Sequence, residues 1–248
     1  MVVPNARSWI LPALAALALS GCAREQESLI VLHSPAWDGG CTVDGNNDVA
    51  LTQGVLDVSF GTPYMMPAAL FNQNVNQQPT VTNNRVDNGE LQLSGADVQL
   101  RMPQAPEVID DLEAQNEAFV EFTVDVPTLS LASGERQGVL VEVVSQAAAV
   151  ALADSVEARL GANARPTLVV DTTFRALRSG NRRGKVGEIE SRVYSFPIEL
   201  CVGCLFTCAT CEPDGTCPQN AAPGFTGGVC GNAQDFLVAP AVCTDPNE

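Results

Sequence analysis

Between Val49 and Leu200 the chain alternates apolar and polar residues. Leu56, Val58 and Phe60 alternate with Asp57 and Ser59, and the run breaks at Gly61-Thr62-Pro63. Tyr64–Phe71 reads as the next strand. Leu91 and Leu93 start a third pattern that Ala96, Val98, Leu100 and Met102 continue in the opposite phase. Gly95 stands at the phase change, where a β-bulge would return the apolar set to the same face. Ala118, Val120, Phe122, Val124 and Val126 line up against Glu121, Thr123 and Asp125. Leu168, Val170 and Phe174 do the same against Asp171 and Arg175. A basic, glycine-rich turn from Ser179-Gly180-Asn181 to Gly187 leads to a last strand over about Glu188–Leu200, with Val193, Tyr194, Phe196 and Ile198. A period of two with turns between the runs predicts half-buried strands. The expected fold is mainly β: an antiparallel β-sandwich of the immunoglobulin-like class.

One stretch has the helical period instead. Ser145 is placed to cap an N-terminus and Gly161 to end the helix. Between them Ala149, Leu152, Ala153, Val156 and Leu160 form an apolar stripe, with Gln146, Asp154 and Glu157 away from it. This helix is expected to close one end of the sandwich. Asn72–Glu90 holds six Asn and three Gln in 19 residues and ends in the turn signal Asn88-Gly89. Without aromatic stacking partners it reads as a solvated edge and loop rather than a sugar-binding surface.

Composition narrows the partners. Aromatic residues make up 5% of the chain, so the core must rest on Val, Leu and Ala. The formal charge is −16, which repels nucleic acid and anionic lipid headgroups.

The first 21 residues form a different kind of segment: Arg7 followed by the 11-residue apolar run Trp9–Leu19, too short to span a bilayer. Leu19-Ser20-Gly21-Cys22 then resembles the lipobox of bacterial lipoproteins. The resemblance implies cleavage before Cys22, acylation of its thiol and attachment to a membrane through that lipid. In enteric-type bacteria an aspartate after the cysteine favours the inner membrane, so Ala23 points to the outer one. Residues 22–40 are expected to be a lipidated tether, broken by Ser34-Pro35 and Gly39-Gly40.

Lipidation of Cys22 would leave eight of the nine cysteines: Cys41, Cys201, Cys204, Cys208, Cys211, Cys217, Cys230 and Cys243. An even remainder in an exported chain suits disulfides. If all eight pair, parity forces Cys41 to bond one of the seven between Cys201 and Cys243. Cys201-x2-Cys204 and Cys208-x2-Cys211 also raise thiolate metal binding, but the three residues between the pairs are fewer than a four-thiolate zinc site normally has. The expectation is disulfides and no metal. A redox-active C-x2-C would call for a helix N-terminus and a thioredoxin-like sheet, and the pattern shows neither.

Other candidates are weaker. Asp44-Gly45-Asn46-Asn47-Asp48 spaces oxygen ligands as calcium loops do, but lacks the glutamate of an EF-hand, and Asx turns account for it. His33, the single histidine, lies in the expected tether, away from any scaffold that could orient a triad. No catalytic residue and no cofactor is implied.

The order of parts resembles uncharacterised envelope lipoproteins of myxobacteria and related deltaproteobacteria. The likeness lies in Leu91–Met102, with its Ser94-Gly95-Ala96-Asp97 step, and in Phe196-Pro197-Ile198-Glu199-Leu200-Cys201-Val202-Gly203-Cys204. It implies no activity. The expected plan is a leader over 1–21, a tether over 22–40, a sandwich over 41–200 and a cysteine-rich module over 201–248. The expected role is structural or binding, toward an envelope protein or glycan, and not toward nucleic acid. The alternative is an envelope enzyme using carboxylates or a divalent cation.

Overall fold

The computed structural model describes residues 28–37, 42–74, 89–126, 129–161, 163–178, 187–204 and 234–235. Eleven strands and two helices follow in chain order: β1 (Leu29–Pro35), β2 (Ala50–Leu51), β3 (Gly54–Asp57), β4 (Tyr64–Asn72), β5 (Leu91–Arg101), α1 (Pro106–Gln115), β6 (Glu121–Val124), β7 (Ser130–Leu131), β8 (Arg136–Val144), α2 (Gln146–Leu160), β9 (Thr167–Arg178), β10 (Gly187–Glu190) and β11 (Tyr194–Cys201). The fold is mainly β, as the alternation predicts. One sheet has the order β2-β1-β4-β8. The other runs β3-β11-β9-β5-β6, with β10 also paired to β9 and β7 to β5.

Both sheets feed one core. Leu29, Met66, Ala68, Leu70, Val139, Val141 and Val143 come from the smaller sheet. Leu93, Val98, Leu100, Leu168, Val170, Phe174, Phe196 and Ile198 come from the larger. Full burial of a side chain of this size contributes roughly 1.5–3 kcal/mol, so these facing sets hold the sandwich together. The longest pairing, β5 with β9, contains the expected bulge: its register shifts between Leu93 and Gly95. A Cβ at Gly95 would lie 3.0 Å from the Val124 carbonyl oxygen and 3.2 Å from the Arg175 guanidinium, so a side chain there would crowd both neighbours.

Several expectations need correction. The sandwich is not purely antiparallel, because β3 runs parallel to β11. The strand through Leu56 stops at Asp57, whose carboxylate accepts the Ser59 N–H at 3.1 Å and turns Val58–Phe60 into a 3₁₀ turn. The last strand is two strands. At the break the Ser191 hydroxyl accepts the Phe174 N–H at 2.9 Å, taking the place of a ladder carbonyl, and Val193 is exposed. Ala118 lies in a 3₁₀ turn and is exposed, off the face that Val120 and Val126 line.

The expected tether yields β1, which lies between β2 and β4. Leu29-Ile30-Val31-Leu32 is a continuous apolar run, so it shows no alternation to announce a strand.

The predicted helix, α2, is capped as expected. The Ser145 hydroxyl accepts the Ala148 N–H at 3.2 Å, and Gly161 has φ +89°. It joins the last strand of the smaller sheet to β9 of the larger. A second helix, α1, was not expected. Pro106 opens it, only Val108 and Leu112 are fully buried, and Asp111 holds Arg159 of α2 through two bonds of 2.7 Å. Among the described residues no helix is long and apolar enough to cross a membrane.

Candidate functional site

Two described parts of the C-terminal region, Cys201–Cys204 and Gln234–Asp235, touch the body at neighbouring points of β3. The first begins at Cys201, the last residue of β11, which pairs with Asp57. Cys201 and Cys204 are joined by a disulfide across a turn in which Gly203 has φ +70°. Cys201 is buried and Cys204 partly so, packed with Val55 and Phe60. Asp57 is fully buried, and its Oδ1 accepts the Ser59 N–H at 3.1 Å, the Ser59 hydroxyl at 2.6 Å and the Gly203 N–H at 2.9 Å. The acid thus ties the end of β3 to the start of the cysteine-rich region. The ligand atoms of Asp57, Cys201 and Cys204 lie within 4.8 Å of one another. With the disulfide reduced they would be a two-thiolate, one-carboxylate donor set. Bonded to each other, the sulfurs are not thiolates, and thiolates are what a metal needs.

The chain returns at Gln234–Asp235. The Asp235 N–H donates to the Val55 carbonyl at 2.9 Å. Its carboxylate accepts the Tyr64 hydroxyl at 2.6 Å, the Val55 N–H at 3.0 Å, the Trp37 indole N–H at 3.2 Å and the Gln234 amide at 3.2 Å. The Gln234 side chain caps the backbone of Met65 in both directions, accepting its N–H and donating to its carbonyl at 2.8 Å each. Gly54 makes the room: a Cβ there would lie 2.0 Å from the Tyr64 hydroxyl. Burial raises the Asp235 pKa despite the hydrogen bonds that oppose it. Burial, then the Asp235 charge and hydrogen bond, push the Tyr64 phenol well above its ordinary value. Both carboxylate oxygens are occupied by protein donors, so the arrangement is built to hold chain segments together rather than to take a substrate proton.

The other candidates resolve into local structure. In the Asp44–Asp48 segment the Asp44 Oδ1 accepts from Asn46 N–H at 2.9 Å, and the Asn47 Oδ1 accepts the Val49 N–H at 3.0 Å. These are the Asx turns that the sequence suggests. His33 lies in β1, its Nε2 2.8 Å from the Asn47 carbonyl oxygen, and belongs to the fold rather than to a tether. On the outer face of the larger sheet a polar ladder crosses the strands. Asp171 takes Arg101 and the Ser195 hydroxyl, each at 2.5 Å, while Glu199 takes Arg165 and Gln53, each at 3.1 Å. The Arg101 hydrogen bond is the main cause holding the Asp171 pKa below the usual carboxylate value.

Of the residues the sequence proposes for disulfides, Cys201 and Cys204 are brought together. Cys22, Cys41, Cys208, Cys211, Cys217, Cys230 and Cys243 lie outside the described residues, as do the leader and residues 75–88 of the amide-rich stretch. Sequence reasoning missed Trp37, Tyr64, Gln234 and Asp235 as a set. The available signal was Trp37, one of two tryptophans, standing in a stretch read as a tether. No family model, curated protein or solved structure matches the chain.

Proposed function

We propose that this chain is a lipoprotein of the bacterial envelope, attached to the outer membrane through acyl chains on Cys22, with a structural or binding role and no catalytic step. The observation that carries this reading is the Leu19-Ser20-Gly21-Cys22 motif, placed six residues before a strand built into the body. Two or three acyl chains give stable attachment where one is marginal. The partner is an envelope protein or glycan, since the acidity of the chain opposes nucleic acid. The acid with a raised pKa, Asp235, has both oxygens engaged by protein donors, which supports a structural part for it over carboxylate catalysis.

Metabolic labelling with a fatty-acid probe tests the anchorage. The wild-type protein should carry label, and Cys22→Ser should be unlabelled and uncut or aberrantly processed. Label that persists on Cys22→Ser would sink the assignment. Crosslinking in intact envelopes followed by pull-down then identifies what the body touches.

A further inference from the structure

We infer that Trp37, Val55, Tyr64 and Met65 form a peptide-binding site at the edge of the larger sheet, held by Gln234–Asp235 as an internal ligand and open to an aspartate-bearing segment of a partner protein that displaces it. The inference goes beyond the envelope reading and does not depend on a lipid at Cys22, so the peptide assay below and the labelling of Cys22 fail separately.

The donors set the ligand chemistry. The Tyr64 hydroxyl and the Val55 N–H both donate to Asp235 Oδ1, at 2.6 and 3.0 Å, and the Trp37 indole N–H donates to Oδ2 at 3.2 Å. A backbone N–H and an indole N–H only donate, so the group between them must accept on two oxygens. A carboxylate does this. An amide would set its NH2 against either the Val55 or the Trp37 donor. One position earlier the Met65 backbone offers one donor and one acceptor, and the Gln234 amide meets both at 2.8 Å. β4 shifts register against β8 between Tyr64 and Met65, at the place where this pair of backbone groups is read. Trp37 follows β1, Val55 lies in β3, and Tyr64 and Met65 open β4, so the receptor belongs to the sandwich.

The internal ligand is held by little pairing. β3 ends the order of the larger sheet, with β11 on its other side. On its outer edge Gln234 makes a single antiparallel bridge to Leu56, and the Asp235 N–H donates to the Val55 carbonyl at 2.9 Å. Asp235 has φ +58°, the only positive φ at a non-glycine residue among the described residues. L side chains seldom adopt that conformation, and aspartate is among the few that tolerate it. Strain of this kind gathers at ligand clamps, and one bridge on a sheet edge is a contact that an added segment can replace. The ligand class is therefore an amide side chain followed by an aspartate.

The test uses the full chain carrying Trp9→Phe, which leaves Trp37 the single tryptophan, inside the site. The probe is a synthetic peptide with the sequence of residues 231–238. Gln234→Ala with Asp235→Ala in the protein empties the site. The peptide should shift Trp37 emission saturably in this opened variant, and at several-fold lower concentration than in the chain that keeps Gln234–Asp235. Asp235→Asn in the peptide should weaken binding about tenfold, and Tyr64→Phe in the protein several-fold. Circular dichroism checks that the opened variant keeps its strands; where it does not, the single Asp235→Asn protein carries the same comparison. No saturable shift, or equal binding of the aspartate and asparagine peptides, overturns the site. A wild-type dimer that the paired substitution dissociates gives the site to a second copy of the chain and overturns the partner-protein assignment.

Discussion

The cysteine-rich region holds the body at two places, and they are built differently. At Cys201–Cys204 the contacts continue the pairing of β11 with β3: a covalent step of three positions, and an Asp57 carboxylate bonded to Ser59 two residues on and to Gly203, just past the end of β11. Where it returns, at Gln234–Asp235, every tie to the body is long-range, to Trp37, Val55, Tyr64 and Met65. The pairing of β11 with β3 already brings Gly203 beside Asp57, so the first set adds little further loop-closure cost, whereas the contact at Gln234–Asp235 must also close residues 205–233. The exit is therefore a fixed part of the sandwich, and the return is a polar contact that can open by itself.

The sharpest way to break this contrast is to find how the return is reinforced. With Cys201 bonded to Cys204, full pairing leaves Cys41 one partner among Cys208, Cys211, Cys217, Cys230 and Cys243. Such a bridge closes more than 150 residues, and chain-entropy reasoning puts its stabilisation near 5 kcal/mol as an upper estimate, roughly. Non-reducing peptide mapping should find Cys41 joined to a peptide of the C-terminal region, and Cys41→Ser should lower stability more than any other single change named here. A free Cys41 thiol would leave the return held by polar contacts alone.

Next in size is Asp57→Ala. It leaves three donors without their acceptor at the exit, a loss of about 2–3 kcal/mol read from urea unfolding. A loss as small as that of a surface substitution would mean the exit is not fixed by this acid.

The smallest effect is the most specific. Tyr64→Phe removes one bond to Asp235 and should cost about 1–2 kcal/mol. pH acts on the same contact, with a defined sign. The folded pKa of Asp235 is raised, by burial first, so its contribution is fully present below the unfolded pKa and is lost as pH rises through the folded one. Amide protection of Val55 and Met65 should therefore fall as pH rises above the ordinary carboxylate value of about 4. The slope should flatten in Asp235→Asn. Protection that rises with pH instead would show that the four donors outweigh burial.

The strands were legible wherever one face is buried and the other wet. Leu91–Arg101, with its bulge at Gly95, and Thr167–Arg178 follow the period-two pattern residue by residue. The misses share a cause. Leu29–Pro35 opens on the continuous apolar run Leu29–Leu32, and α1 has four acids among its ten residues, so neither displays a clean stripe. Asp57 was read as the outward residue of an alternating strand. It is fully buried, because its carboxylate finds donors in Ser59 and in Gly203, 146 positions away.

The sequence by itself determined the class of fold, the bulge, the capped helix, the Asx turns at Asp44–Asp48 and the motif around Cys22. Each is written in neighbours a few residues apart, where backbone geometry and local hydrogen bonds decide. Only the tertiary structure decided that β3 runs parallel to β11, that the expected tether contains the strand Leu29–Pro35, and that Trp37, Tyr64 and Asp235 meet. Those outcomes depend on which distant segments share the core. A buried polar group is satisfied by whatever donor the packing brings to it, and local pattern carries no trace of that choice.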